Sequence, residues 1–271
     1  MAKKKVTFAD IAAYTNFSKT TISRYFNNPD SLTLENQEKI AAALEELEYQ
    51  ENKLAKVLAN GKSEFVGIII PNLYLHYYSE ILNQLLSSYS KFGYKFLVFV
   101  SNDGREREQQ YINELLAYKI EGLIILSHTF SSAELAKCNI PIVAIEREAE
   151  HICSVDTDNY MGGLQATSLL IRNHCDILIH INVPVPENVP AHNRITAFED
   201  TCQKYHVPYE LMLGDLGSTY ETTFDRIKET FETIEEKYPD RKKGIFFAND
   251  TYANIFLNLI TQKYGHLPEQ Y

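Results

Sequence analysis

Residues 18–27 read S-K-T-T-I-S-R-Y-F-N, and the rest of the chain is organised around them. Lys19, Thr20, Ser23 and Arg24 fall at helical spacing on one polar side. The run before them, V-T-F-A-D-I-A-A-Y-T-N-F (6–17), predicts a first helix over 7–14. Thr7 can cap it, Asp10 suits its first turn, and Phe8, Ile11 and Ala12 share a face. Thr15-Asn16-Phe17 makes a tight turn, and Ser18 can cap the second helix, with Thr21 and Ile22 near its packing side. Asn27-Asn28-Pro29-Asp30 is a stop signal. Thr33 opens a third helix over 34–47, with Glu35 in its first turn and Ile40, Ala43, Leu44 and Leu47 as its buried stripe. Three short helices make a helix-turn-helix head.

In such a head the second helix enters a major groove N-terminus first. Lys19, Thr20 and Arg24 are therefore candidates for base contacts. Lysine and arginine donate to guanine O6 and N7, and threonine meets a base edge or the thymine methyl. Ser18, Thr21, Ser23 and Asn27 are candidates for positioning on the phosphate backbone, which takes most contacts in these interfaces. Lys3, Lys4 and Lys5 would add salt-sensitive attraction. Outside this motif the same polar set would be a solvated helix face.

The charge distribution agrees with the motif although the total does not. The 271 residues carry a net charge of −10. Residues 1–28 hold five basic residues (Lys3, Lys4, Lys5, Lys19, Arg24) and one acid (Asp10), a balance of +4, so the remainder carries −14. A basic head on an acidic body suits a DNA-binding module attached to a globular domain. Cys138, Cys153, Cys175 and Cys202 are widely spaced with no C-x-x-C pair, which fits free thiols in a reducing cytoplasm. No apolar run approaches the roughly 20 residues needed to span a bilayer, and no membrane partner is expected. The basic N-terminus runs into an amphipathic segment, which argues against a signal peptide.

From Phe65 the texture becomes alternating strand and helix. F-V-G-I-I-I-P (65–71), K-F-L-V-F-V-S-N (95–102), G-L-I-I-L-S-H (122–128) and I-P-I-V-A-I-E (140–146) are apolar, β-rich runs. Helices are expected near 77–92, 105–118 and 131–137. Continuous apolar strands alternating with helices imply parallel sheets covered on both faces. A second set starts at I-L-I-H-I-N-V (177–183) and includes G-I-F-F-A (244–248), followed by a helix over 251–264. The expected fold class is an α head plus α/β, with two lobes and a cleft between them.

The run over 6–27 resembles the head of the LacI/GalR family of bacterial transcriptional regulators. So does E-E-L-E-Y-Q-E-N-K-L-A-K-V-L-A-N-G-K-S (45–63), which contains the family's Y-x-x-N-x-x-A-x-x-L linker. Asn16-Phe17 departs from the usual Gly and small apolar residue, and Tyr25-Phe26 is bulkier than the usual Val/Leu pair. The resemblance implies a head over 1–50, a hinge helix and linker over 51–63, and a two-lobed periplasmic-binding-protein type I domain over 64–271. The lobes would divide at about 64–159 and 160–271. Nine linker residues are too few for a stable isolated helix, and the resemblance implies that DNA and the partner's linker fold it. Asn52, Ala55 and Leu58 are then DNA-binding candidates: Leu58 as a minor-groove wedge, Ala55 as the site of close linker approach. The family continues beyond the position of Tyr271, so the second lobe is expected to be incomplete.

Position after the first strand and the resemblance together pick out cleft residues. Tyr77 and Tyr78 follow the first strand, where α/β sheets place ligands. Asp158 lies in V-D-T-D-N-Y-M-G-G (155–163), Arg194 in N-R-I-T-A-F (193–198), where Ala197 replaces a glycine, and Asn249 in the family's N-D pair. A carboxylate, a guanidinium and an amide would converge on vicinal hydroxyls.

His174-Cys175-Asp176 is not a triad, because adjacent helical residues do not face one another. Gly214-x-x-Gly217 lacks the context of a phosphate loop. No motif has metal-ligand spacing, no cofactor is expected, and nothing supplies a paired acid and base, so an enzyme is not expected. The expected function is a sequence-specific regulator, a repressor, acting as a homodimer on double-stranded operator DNA in the bacterial cytoplasm, at the nucleoid. A small-molecule effector, a sugar or sugar derivative, would control it. The alternative is a sugar-binding receptor without DNA function.

Overall fold

The structure, a computed structural model, describes residues 6–50, 61–101, 104–147 and 149–271. It falls into two compact units, Met1–Gly61 and Lys62–Tyr271.

The first unit holds α1 (Phe8–Thr15), α2 (Lys19–Asn27) and α3 (Leu34–Glu46). Each start is fixed by side-chain chemistry. The Thr7 amide and hydroxyl donate to the Asp10 carboxylate at 2.8 and 2.6 Å. Ser18 accepts from the Thr21 amide at 3.1 Å, and Thr33 from the Asn36 amide at 3.4 Å. These caps satisfy amides that an isolated helix leaves orphaned. Ile11, Ile22 and Ile40 are fully buried and Ala43 nearly so.

The two departures in this head have physical accounts. Asn16 sits in the left-handed region at φ 59°, a conformation that asparagine tolerates better than other residues with a β-carbon. Phe17 lies under the Lys39 ammonium, 5.1 Å from the ring centroid. Phe26 stacks on Phe8 at 5.2 Å, Tyr49 closes on them at 5.9 and 5.8 Å, and Tyr25 meets Phe26 edge-on at 5.3 Å. The bulky pair therefore enlarges a small core, and each ring pair adds about 0.5–1.5 kcal/mol beyond its burial. Replacing Asn16 with Val should destabilise the head by about 1–2 kcal/mol, whereas Asn16→Gly should not. Thermal unfolding followed by circular dichroism separates the two.

The second unit contains two parallel sheets. The first lobe runs β1 (Phe65–Ile70), α4 (His76–Ser87), α5 (Tyr89–Phe92), β2 (Lys95–Val100), α6 (Arg105–Ala117), β3 (Gly122–Leu126), α7 (Ser132–Ala136), β4 (Ile142–Ile145) and β5 (Cys153–Val155). Its strand order is β2-β1-β3-β4-β5, all parallel. The second lobe runs α8 (Asn159–Arg172), β6 (Ile177–Asn182), α9 (Asn193–Tyr205), β7 (Tyr209–Leu213), α10 (Tyr220–Lys237), β8 (Lys243–Phe247) and α11 (Asp250–Tyr264). Its order is β7-β6-β8, also parallel.

Alternation along the strands sends side chains to both faces. Ile69 joins Ile112 and Leu115 of α6, while Ile68 and Ile70 join Ile81, Leu82 and Leu85 of α4. In β6, Ile177, Ile179 and Ile181 pack on α10 and α11, while Leu178 packs on Phe198 and Cys202 of α9.

The expected helix over 77–92 breaks in two at Ser88. Its hydroxyl donates to the Leu85 carbonyl at 2.5 Å, and Ser87 and Ser90 make the same three-back bond. Such bonds compete with the helical ladder. β5 and β7 were not expected: β5 is three exposed residues, and β7 is a half-buried edge strand. The four cysteines are free thiols. The Asp176 carboxylate accepts the Lys242 amide at 2.8 Å, tying the residue before β6 to the residue before β8.

Candidate functional site

In the head, α2 turns one face outward. Ser18, Lys19, Thr20, Arg24 and Asn27 are exposed, and Thr21 and Ser23 half-buried, while Ile22 is fully buried beneath them. Lys19, Ser23 and Asn27 form one row at i, i+4 and i+8, and Thr20 and Arg24 form the next. Asn27 Nδ2 donates to Ser23 Oγ at 3.2 Å, and the Ser18 and Thr21 hydroxyls are 2.9 Å apart. The polar residues around the two cations thus hold one another in place. Asn52, Ala55 and Leu58 lie outside the described residues.

The second site is a cavity of about 640 Å³ between the lobes. The chain order explains its position. In an open parallel sheet, ligands bind outside the carboxyl ends of the strands where the order reverses. That reversal lies between β1 and β3 in the first lobe and between β6 and β8 in the second. The lining residues come from these ends: Tyr77 and Tyr78 after β1, Ser127 after β3, Glu146 and Arg147 after β4, Asn182 and the 183–186 segment at the end of β6, and Ala248, Asn249 and Asp250 after β8. Leu75 also packs into the second lobe's core. The His76 amide donates to Thr251 Oγ1 at 3.0 Å, and the Tyr74 hydroxyl to the Gly217 carbonyl at 3.3 Å, so the lobes touch beside the cavity.

One residue of the cavity wall is Glu146, a carboxylate only 7% exposed. Its Oε1 accepts from the Thr157 amide at 3.1 Å and from the Thr157 hydroxyl, and its Oε2 from Asn159 Nδ2 at 3.3 Å. Asn159 Oδ1 in turn accepts Arg194 Nε at 2.6 Å, and Arg194 Nη1 donates to the Ala248 carbonyl at 2.7 Å. A chain of hydrogen bonds therefore runs from the end of β4 through the crossover to α9 and the end of β8. The backbone supports it. A β-carbon at Gly163 would lie 2.9 Å from Ala197 Cβ and 3.0 Å from the Arg194 carbonyl, so α8 and α9 meet closely there.

Burial, with the Glu146 carboxylate nearby, pushes the Tyr77 hydroxyl pKa well above the ordinary value. Tyr78 stands edge-on to Tyr77 at 5.2 Å, its hydroxyl 3.0 Å from Ser127 Oγ. Ser127 and Glu146 both have positive φ, 48° and 58°. Such strain collects where a fold aims groups at a ligand. Arg147 holds the two strand ends together, donating from Nε to His128 O at 3.2 Å, from Nη1 to Glu146 O at 2.7 Å and from Nη2 to Ser127 O at 3.3 Å.

Of the expected cleft residues, the structure brings Tyr77, Tyr78, Arg194 and Asn249 together. Asn249 Oδ1 accepts the Tyr252 amide at 3.0 Å and caps α11. Asp158 is corrected: it is exposed, accepts the Met161 amide at 3.0 Å as the cap of α8, and does not line the cavity. The buried carboxylate in the wall is Glu146, and the crossover residue that reaches Arg194 is Asn159, one position on from Asp158. Glu146 and Arg147 were legible as polar residues directly after an apolar strand. Asn182 was legible as an asparagine ending I-L-I-H-I-N.

His180 lies beneath Asn182, fully buried. Its Nδ1 is 2.9 Å from the Phe246 carbonyl, which only accepts, so Nδ1 carries the proton. The ring stacks on Phe246 at 4.5 Å and tilts against Phe198 at 5.3 Å. Burial pulls its pKa down to about 4. Its ordinary value is about 6.5, so the unfolded chain takes up a proton that the folded chain refuses. Stability should fall by about 3 kcal/mol as the pH drops from about 6.5 toward about 4. Urea unfolding at pH 7 and pH 4.5 should show this loss in the parent chain and a smaller one in His180→Phe.

A helix-turn-helix head with a polar recognition face, joined to a two-lobed parallel-sheet unit with a cavity at its strand ends, defines a DNA-binding protein that carries a ligand-binding unit. Residues 7–52 match the family described as bacterial regulatory proteins, lacI family. Residues 63–254 match periplasmic binding proteins and sugar binding domain of LacI family. The chain belongs to the LacI family, whose members are transcriptional regulators and not enzymes. It is similar to the sucrose operon repressor of Streptococcus mutans serotype c, 28% identical over 262 residues, spanning 96% of this chain and 79% of that one. It is also similar to the ribose operon repressor of Halalkalibacterium halodurans, 26% identical over 248 residues, spanning 91% and 72%. The fold matches a crystal structure of the lac repressor dimer bound to operator and the anti-inducer ONPF, with a TM-score of 0.80 and 22% identity over 96% of this chain and 78% of that one. Among the described residues no helix is long and apolar enough to cross a membrane, and no group of side chains could hold a metal ion.

Proposed function

We propose that this protein is a sequence-specific repressor that binds a pseudo-palindromic operator as a homodimer and answers to a sugar or sugar derivative bound between its lobes. The observation that carries this reading is the cavity wall itself: Tyr77, Glu146, Arg194 and Asn249 drawn from both lobes onto one volume of about 640 Å³. A ligand held by both lobes favours one angle between them, and a preference for one geometry is what couples a ligand to a distant site. The working parts are a head over 1–50, a linker over 51–63, and an effector unit over 64–271 whose lobes divide near 159. In the linker, Asn52, Ala55 and Leu58 would pair with the partner's linker, Leu58 entering the central minor groove. Such a regulator works in the bacterial cytoplasm, held at the nucleoid by its operator.

The cavity favours an uncharged, hydroxyl-rich ligand. Glu80, Glu146 and Asp250 offset Arg147 and Arg194, and three of Arg147's donors are taken by carbonyls. Val183, Pro184, Val185 and Pro186 supply an apolar wall for the face of a ring. Dimerisation is supported by the apolar side chains exposed along α4, α5 and edge strand β2: Leu86 at 41%, Tyr89 at 52%, Phe92 at 62% and Val98 at 36%. A second copy would cover them.

Selection of bound sites from random duplexes, followed by titration of sugars into the selected complex, tests this reading. Lack of preference among duplexes would overturn it. With the selected operator, Arg24→Ala should weaken binding by about 1–3 kcal/mol and relax base preference at one position. Equal loss on every operator variant would instead make Arg24 a phosphate contact. Arg194→Gln should leave operator binding intact without sugar and abolish the sugar's effect, read by fluorescence anisotropy. A neutral sugar should act at concentrations at least tenfold lower than its phosphate ester.

A further inference from the structure

We infer that Asn182, its amide locked in one orientation by His180, is an effector-binding residue that reads a single ligand hydroxyl and sets specificity. The inference rests on the proposal that an effector occupies the cavity between the lobes. Asn182 is 3% exposed and lines that cavity at the end of β6. At most sites the two ends of an asparagine amide are interchangeable, and the side chain flips to suit its ligand. Here neither end is free to change. Oδ1 accepts the Val183 amide at 2.8 Å, and only an oxygen can accept that proton. Nδ2 lies 3.3 Å from His180 Nε2. His180 Nδ1 donates to Phe246 O, so Nε2 is a lone pair and only the amino end can face it.

Two neighbours therefore demand the same orientation. After these bonds the amide retains one N–H and one oxygen lone pair, a donor and an acceptor side by side at fixed positions. A hydroxyl, which both donates and accepts, is complementary to that pair. His180 and Asn182 sit at i and i+2, on the same face of β6, so the histidine supports the amide from below and does not itself touch the ligand. It is a positioning residue. The rings of Phe246 and Phe198 against the imidazole fix its plane and so the direction of the Nε2 lone pair.

The test uses the full chain and four probes: sucrose, ribose, cellobiose and fructose 1-phosphate. Calorimetric titration first finds which of them binds, and monodeoxy analogues of that sugar are then compared. Asn182→Ala should weaken the sugar about 10- to 100-fold, the loss expected when one buried hydrogen-bonding partner is removed. One monodeoxy analogue should bind the variant and the parent chain equally, which identifies the hydroxyl. His180→Phe keeps the ring stack and removes the lone pair. It should weaken the sugar about 5- to 30-fold in the parent chain, a neutral hydrogen bond's worth, and have no further effect in Asn182→Ala. Operator binding without sugar should be unchanged in all three variants. Asn182→Ser, which keeps a donor and an acceptor on a shorter arm, provides a second test if the alanine variant fails to fold; it should weaken the sugar less than tenfold and keep discrimination among the analogues. Parent affinity in Asn182→Ala, or equal loss on every analogue, would overturn the inference and leave the effector reading standing. Failure of all four probes to bind the parent chain would overturn both.

Discussion

A carboxylate that is almost fully buried must be given partners, or the fold must neutralise it. Glu146 is that group, and much of the effector unit follows from how it is satisfied. Its partners are Thr157 and Asn159, in the crossover between the lobes. Asn159 then has its carbonyl oxygen left to orient Arg194. A single burial constraint thus ties the end of a first-lobe strand, the crossover and a second-lobe helix into one connected set. Buried polar networks of this kind are costly when half made and stiffening when complete, and this one spans both lobes.

The head follows a different economy. Its core is small: among the described residues, four buried apolar side chains drawn from three helices. Phe26, which departs from the common family pattern, enlarges it by stacking on Phe8 and packing against Tyr49. The polar face is free of that task, so Lys19, Thr20 and Arg24 remain exposed while Ser18, Thr21, Ser23 and Asn27 brace one another. The packed residues sit on one side of α2 and the exposed polar ones on the other, as an amphipathic surface helix requires.

The two sites were legible to different degrees. For the head, spacing alone located the helices to within a residue, because the caps Thr7, Ser18 and Thr33 are local devices that sequence displays directly. In the cleft, Tyr77, Tyr78, Arg194 and Asn249 were reachable because each follows or precedes a recognisable element. Asp158 was misplaced because a carboxylate just before a helix can either cap it or point into a cleft, and the sequence does not distinguish the two. β7 escaped notice because Y-E-L-M-L lacks the continuous apolar run of a central strand, being half-buried at an edge.

The sequence by itself determined the helix-turn-helix, the alternation of buried strands with helices, and the separation of a basic head from an acidic body, since caps, periodicity and charge are properties of neighbouring residues. Only the tertiary structure decided which carboxylate enters the cleft, that Asn159 carries the link from Glu146 to Arg194, and that His180 fixes the orientation of Asn182. Those choices depend on which strand ends lie side by side. Strand order in a parallel sheet is set by long crossovers, and no local pattern in the chain records it.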